Sequence, residues 1–255
     1  MPNKSLGQHW LKDRAYLEAI ADAAHITSQD TVVEIGPGLG TLTSVLLARA
    51  GKVISVEFDA ELARKLPGQF PGKNLEVVQS DILSFDFASL PDDFKVAGNI
   101  PYYITNKIVR KVLESPNKPS VSALLVQKEV AERIAAGPGE MSMLALAAQV
   151  YAEASLGVEV PREYFTPPPE VDSQVIVLKT RSEPLVPLKQ QAEFFRLARA
   201  GFSEKRKKLR SSLAGGLHLE KTVLDMTLEK LGISPEARAQ ELSIDDWKRL
   251  QHELF

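Results

Sequence analysis

The side chains best suited to chemistry in this sequence fall in two short stretches. Asn99-Ile100-Pro101-Tyr102 combines an amide oxygen that accepts hydrogen bonds, a proline with a carbonyl but no N–H, and a flat aromatic face. A planar ring bearing an exocyclic amine has two hydrogens to donate and a face to stack. The tetrapeptide fits that need. Upstream, Glu34-Ile35-Gly36-Pro37-Gly38-Leu39-Gly40 is a glycine turn that lets backbone N–H groups approach a ligand closely. Together the two stretches predict a nucleotide-like cofactor on the turn and an amine-bearing planar substrate beside it.

The glycine spacing narrows the cofactor. It is G-x-G-x-G, whereas a dinucleotide pyrophosphate favours G-x-G-x-x-G. The shorter turn, preceded by Glu34, suits a ligand without phosphates, such as S-adenosylmethionine with its amino-acid end on the turn. A ligand-free strand–helix turn carries the same signature. Glu57 follows Gly36 by about twenty residues, where a carboxylate accepts both hydrogens of a ribose diol. A helix N-terminal charge is the alternative, since Asp59 follows. Asp81, in Gln79-Ser80-Asp81-Ile82, either accepts a hydrogen bond from the cofactor adenine amine or caps a turn. Asn99 and the Pro101 or Ile100 carbonyl would take the hydrogens of the substrate amine, with Tyr102 stacked on its ring. The stiff stretch Phe165-Thr166-Pro167-Pro168-Pro169 either projects Phe165 over the pocket, against an extruded base, or leaves it in the core. An amine whose lone pair is delocalised into a ring needs orientation and electrostatics more than a strong base.

The elements that must hold these residues follow from hydrophobic periodicity. A helix is predicted over 12–25. Strands at 31–35, 52–56, 75–79, 94–97 and 121–126 alternate with helices at 41–50, 59–66, 104–113 and 128–135. A helix at 142–154, a short strand near 156–160 and a strand at 173–178 complete the pattern. Such βα units in series mean a parallel sheet with helices on both faces and an antiparallel edge pair. Ligands bind at the carboxyl ends of such strands. Gly36, Glu57, Asp81 and Asn99 are all predicted to lie there. Residues 181–187 read as a linker. Helices at 191–202, 204–213, 219–231 and 244–254 follow. The expected domains are therefore an α/β domain at 1–181 and a small all-α domain at 182–255.

Composition bounds the function classes. The chain has 255 residues, 44% of them hydrophobic and 25% charged, the profile of a soluble globular protein. It contains no cysteine, and its four histidines are scattered, so neither a disulfide nor a metal site is expected. No membrane span or signal peptide is legible, and a cytoplasmic protein is expected. The net charge of −2 argues against nucleic-acid binding. Locally, however, Arg196, Arg199, Lys205, Arg206, Lys207, Lys208 and Arg210 stand against Glu204 alone. That run is either a solvated helix face or a phosphate-binding patch.

Together these motifs resemble the ribosomal small-subunit RNA adenine N6-dimethyltransferase family. The matching stretches are Gly7 to Leu11, Val33 to Gly40, Val56 to Asp59, Ser80 to Ile82, Gly98 to Thr105, Gln127 to Val130, Phe165 to Ser173, Phe202 to Leu213, and Arg238-Ala239 with Leu242-Ser243. The resemblance implies a Rossmann-like class I S-adenosylmethionine-dependent methyltransferase fold with a helical C-terminal domain. It implies four methyl transfers to N6 of two adjacent adenosines in the loop of the 3′-terminal hairpin of 16S rRNA. The implied substrate is an immature small ribosomal subunit, and a monomer is expected. By motif position, His9, Leu11, Gly36, Glu57, Asp81 and Asn99 would contact the cofactor. Asn99, Pro101, Tyr102 and Phe165 would frame the target base. Lys205, Arg206, Lys207, Lys208 and Arg210 would grip rRNA. Trp10 stands where the family usually has Phe, and the loop at 137–141 is shortened. The 23S rRNA adenine methyltransferases of macrolide resistance resemble the chain too, and a non-catalytic RNA-binding assembly factor could share the fold. The glycine spacing disfavours a nicotinamide-dependent oxidoreductase.

Overall fold

The computed structural model describes residues 8–204 and 206–255. The chain forms two compact units. One comprises the residues through Glu132 together with Ala152–Arg181, and the other comprises Arg133–Tyr151 with Ser182–Phe255. The linear reading divides the chain once, after residue 181. Residues 133–151, which that reading left in the first domain, cluster with the C-terminal helices.

The first unit is built on a seven-stranded sheet. Its strands are β2 (Thr31–Ile35), β3 (Lys52–Glu57), β4 (Leu75–Gln79), β5 (Lys95–Asn99), β6 (Val121–Gln127), β7 (Ala152–Val160) and β9 (Ser173–Thr180). Their order is β4-β3-β2-β5-β6-β9-β7. β2 to β6 are parallel, while β9 runs antiparallel to both β6 and β7. The order turns back between β2 and β5, which opens a crevice beyond their carboxyl ends, the usual ligand position in such sheets. A separate two-stranded ribbon pairs β1 (Trp10–Leu11) with β8 (Phe165–Thr166). Among the described residues, no helix is long and apolar enough to cross a membrane.

Sheet strands and helix α1 (Arg14–Ala23) share one core. Leu17, Ile20, Val32, Leu46, Val53 and Val175 are among its buried members. Each such side chain contributes about 1.5–3 kcal/mol. Leu11 and Phe165 belong to this core as well. The β1–β8 ribbon therefore anchors in the core and holds the preceding residues, Gln8 and His9, at the crevice. Asp13 starts α1 by accepting hydrogen bonds from the Ala15 and Tyr16 amides. Asp59 does the same for α3 (Ala60–Lys65) through the Glu61 and Leu62 amides.

Two helix predictions shift furthest. The one at 142–154 ends early: α6 is Met143–Gln149, and β7 begins at Ala152. Ala152 and Glu153 pair with Thr180 and Lys179 of β9, so the ladder overrides alanine's helical preference. The one at 204–213 starts late: α8 is Leu209–Leu217 and runs through Gly215-Gly216. The second unit also contains α7 (Leu188–Phe202), α9 (Lys221–Lys230) and α10 (Ile244–Leu254), around buried Phe194, Leu213, Leu228 and Trp247. Here the loop at 137–141 is fastened to Gln240. The Gly139 and Met141 amides donate to the Gln240 carbonyl, and Gln240 Nε2 donates to the Gly139 carbonyl.

Candidate active site

A cavity of about 270 Å³ lies at the crevice. Its walls include His9, Trp10, Gly36, Gly38, Glu57, Phe58, Asp81, Ile82, Asn99, Ile100, Pro101, Tyr102 and Tyr103. Residues from the ends of β2, β3, β4 and β5 thus meet in one space, although they are spread over more than sixty positions of sequence. The parallel sheet brings them together.

The floor is the glycine turn. Gly36, Gly38 and Gly40 adopt φ of +66°, +55° and +79°, which an L side chain disfavours. The turn is tied to Glu57. The Gly38 amide donates to Glu57 Oε2 at 3.0 Å, and the Asp59 amide donates to Oε1 at 2.8 Å. Each carboxylate oxygen keeps a further lone pair, so Glu57 can still accept two hydrogen bonds from a diol. Burial pushes its carboxyl pKa upward, and the Asp59 and Gly38 amides work against that shift. Trp10 covers the turn so closely that a Cβ at Gly38 would lie 3.2 Å from its Nε1. A side chain at position 38 would press on the indole.

Glu34 lies beneath the turn and outside the cavity wall. Its Oε2 accepts from Thr43 Oγ1 at 2.7 Å and Ser55 Oγ at 2.6 Å. Burial raises its pKa to about 7, opposed by those hydroxyls and reinforced by the charge of Glu57. Asp81 reaches the cavity while its Oδ1 accepts from the Leu83 amide at 2.9 Å. It therefore caps a turn and also lines the cavity.

On the substrate side, Asn99 Nδ2 donates to the His9 carbonyl at 2.8 Å. That contact orients the amide and leaves Oδ1 as its acceptor. The Pro101 carbonyl already accepts from the Ile104 amide at 3.2 Å and from Thr105 Oγ1 at 3.4 Å. Its two lone pairs are taken, which makes the Ile100 carbonyl the better second acceptor. The Tyr102 hydroxyl bonds Ser173 Oγ at 2.7 Å, and its ring stacks on His9 with centroids 5.8 Å apart. Burial raises the Tyr102 pKa, so the phenol stays neutral. His9 Nδ1 bonds the Pro167 carbonyl at 2.8 Å.

Two expected site residues stand apart. Leu11 is 1% exposed and Phe165 3% exposed, and neither lines the cavity. They are register partners in the β1–β8 ribbon and point into the core. Phe165 therefore takes the core position rather than a place over the pocket. Conversely, Phe58 and Tyr103 line the cavity while remaining 62% and 63% exposed. Each directly follows a residue the motifs had singled out, Glu57 and Tyr102, and that adjacency was the available signal.

The chain matches the model of a family described as ribosomal RNA adenine dimethylase over residues 2–254. It belongs to that family. The ribosomal RNA small subunit methyltransferase A of Dehalococcoides mccartyi is 42% identical over 97% of this chain and 86% of its own length. A dimethyladenosine transferase from Plasmodium falciparum is similar in structure, with a TM-score of 0.82 and 30% identity over 95% and 96% of the two chains. The 23S rRNA methyltransferase ErmE is similar as well, with a TM-score of 0.79 and 30% identity over 96% and 99%. The fold is thus the class I methyltransferase fold, and the chain is a ribosomal RNA adenine dimethylase.

The basic run in the dimethylase's second unit is less exposed as charge than its sequence implies. Lys207 pairs with Glu204 at 2.6 Å, Lys208 pairs with Glu236, and Arg210 makes two 3.0 Å hydrogen bonds to Asp225. Asp225 and Glu236 are distant in sequence and were invisible to a local charge count. Arg206 is exposed, and Lys205 lies outside the described residues.

Proposed function

We propose that this dimethylase binds S-adenosylmethionine in the cavity. It methylates N6 of two adjacent adenosines in the 3′-terminal hairpin loop of 16S rRNA, within the immature small subunit. It acts as a monomer in the cytoplasm. The observation that carries this reading is the oriented Asn99 amide between the glycine turn and Tyr102. When bound, the cofactor supplies an electrophilic methyl group on a sulfonium. Gly36 and Gly38 offer close backbone approach to its amino-acid end. Glu57 accepts from the ribose diol, and Asp81 accepts from the adenine amine.

Asn99 Oδ1 and the Ile100 carbonyl accept the two N6 hydrogens of the target adenosine. They hold the nitrogen in line and draw electron density toward it as the new bond forms. Tyr102 supplies a neutral ring face for the extruded base. The S–CH3 bond breaks to leave S-adenosylhomocysteine, and the N6 proton passes to solvent after transfer, so no strong base is required. The curated relatives over nearly the full chain carry the small-subunit name, which favours that target over 23S rRNA. ErmE shares the fold at lower identity.

The test is methyl transfer from radiolabelled S-adenosylmethionine to unmethylated small subunits and, in parallel, to large-subunit RNA. Reverse-transcription stops map the products, because N6 dimethylation blocks pairing. Stops at the paired adenosines of the 16S hairpin are expected. Stops in 23S RNA alone would reassign the target, and cofactor binding without any transfer would favour a binding role.

A further inference from the structure

Helix α4 (Thr105–Glu114) starts at the cavity rim, and part of its exposed face is unused by the reading above. Tyr103, just before it, is 63% exposed and lines the cavity. Lys107, four residues on, is exposed and also lines the cavity, so the two side chains share one face. The other cations of this helix are occupied. Arg110 makes two hydrogen bonds to Glu114, at 3.0 and 3.1 Å. Lys111 Nζ lies 5.5 Å from the centroid of the Phe87 ring. Lys107 forms no ion pair among the described residues. An aromatic face and an uncommitted ammonium thus adjoin the mouth of the cavity, whereas Lys207, Lys208 and Arg210 of the basic run in the second unit are paired with acids.

Taking one adenosine out of its stack leaves the neighbouring base without a partner and brings its phosphate to the rim. We propose that Tyr103 and Lys107 form a subsite for the nucleotide adjoining the target adenosine. The Tyr103 ring stacks on that base, and the Lys107 ammonium pairs with its phosphate. The occupant is single-stranded RNA, argued from continuity with the acceptor cavity and from charge. Stacking on an aromatic ring tolerates any base, so the second adenosine of the pair fits the subsite. This assignment rests on the proposed RNA methylation.

The experiment compares Tyr103→Ala, Tyr103→Phe and Lys107→Met with wild type. Calorimetry measures S-adenosylhomocysteine binding, and methyl transfer to unmethylated small subunits is followed over a salt series. Cofactor-product affinity is expected to stay at the wild-type level. Tyr103→Ala should raise KM for the subunit about tenfold, and Tyr103→Phe, which keeps the ring, should restore most of that loss. Lys107→Met should lower the slope of log affinity against log salt by about 0.7, the value of one single-strand phosphate. Unchanged KM and slope would overturn the subsite. So would loss of S-adenosylhomocysteine binding in the variants, which would make both residues part of the cofactor wall. A wild-type protein that binds the cofactor product but methylates neither subunit's RNA would instead refute the proposed function, and the subsite with it.

Discussion

At the residue scale, Asn99 gives its amide hydrogen to the His9 carbonyl, and that bond decides which way its oxygen faces. Asn99→Ala removes the acceptor and should lower methyl transfer at least about a hundredfold, the cost of losing one preorganised polar group. Small-subunit binding should persist, as a filter-binding assay would show. Full activity in that variant would refute the role. Glu34 makes a separate prediction. Its carboxyl ionises at about 7 in the fold against 4.5 in the open chain, so the native state holds the proton more tightly. The corresponding stability is complete below about pH 4.5 and is lost as pH rises through about 7. Glu34→Gln keeps a neutral group in place and should flatten that dependence. Urea midpoints at pH 5 and pH 8 measure it, and equal pH sensitivity in the two proteins would contradict the buried-proton account. The strand-end placement of Asn99 and Glu57, and of Asp81 just beyond its strand, was legible in the sequence because each adjoins a recognisable motif. The core positions of Leu11 and Phe165 were not, because they depend on a pairing between segments about 155 residues apart.

At the element scale, local signals placed the strands well. β2 and β4 have the bounds that periodicity predicts, and Asp13 and Asp59 cap the helices they precede. The helix expected to end at residue 213 instead continues through Gly215-Gly216 as part of α8. The reason is packing: a Cβ on Gly216 would lie 2.6 Å from the Ala200 Cβ and 2.9 Å from its Cα on α7. Glycine there permits two helices to approach, rather than ending one. Gly216→Ala should therefore destabilise the protein by about 1–3 kcal/mol through overpacking. Gly215→Ala meets nothing within 4 Å and should stabilise by up to about 1 kcal/mol through helix propensity. Thermal unfolding of the two variants separates these effects. Stabilisation by both would show that propensity, not packing, governs the pair.

At the scale of the whole molecule, a chain of net charge −2 must still hold a polyanion. The acidic partners Asp225 and Glu236 reduce the free charge of the basic run, but exposed ion pairs are weak and phosphate can displace them. Glu236→Gln releases Lys208 and one partner of Arg210. Small-subunit affinity should rise a few-fold, with a steeper salt dependence, if these cations meet rRNA. Binding unchanged across the salt series would return the run to a self-neutralised surface.

By itself the sequence determined the strand–helix alternation, the strand-end position of the glycine turn, Glu57, Asp81 and Asn99, and the family. Each of these is encoded in contiguous residues through periodicity, backbone freedom or side-chain type. Only the tertiary structure decided that Phe165 lies in the core. It alone placed Phe58 and Tyr103 on the cavity and supplied acidic partners to the basic run. Those outcomes depend on contacts and burial that the three-dimensional fold creates, and most join segments far apart in the chain.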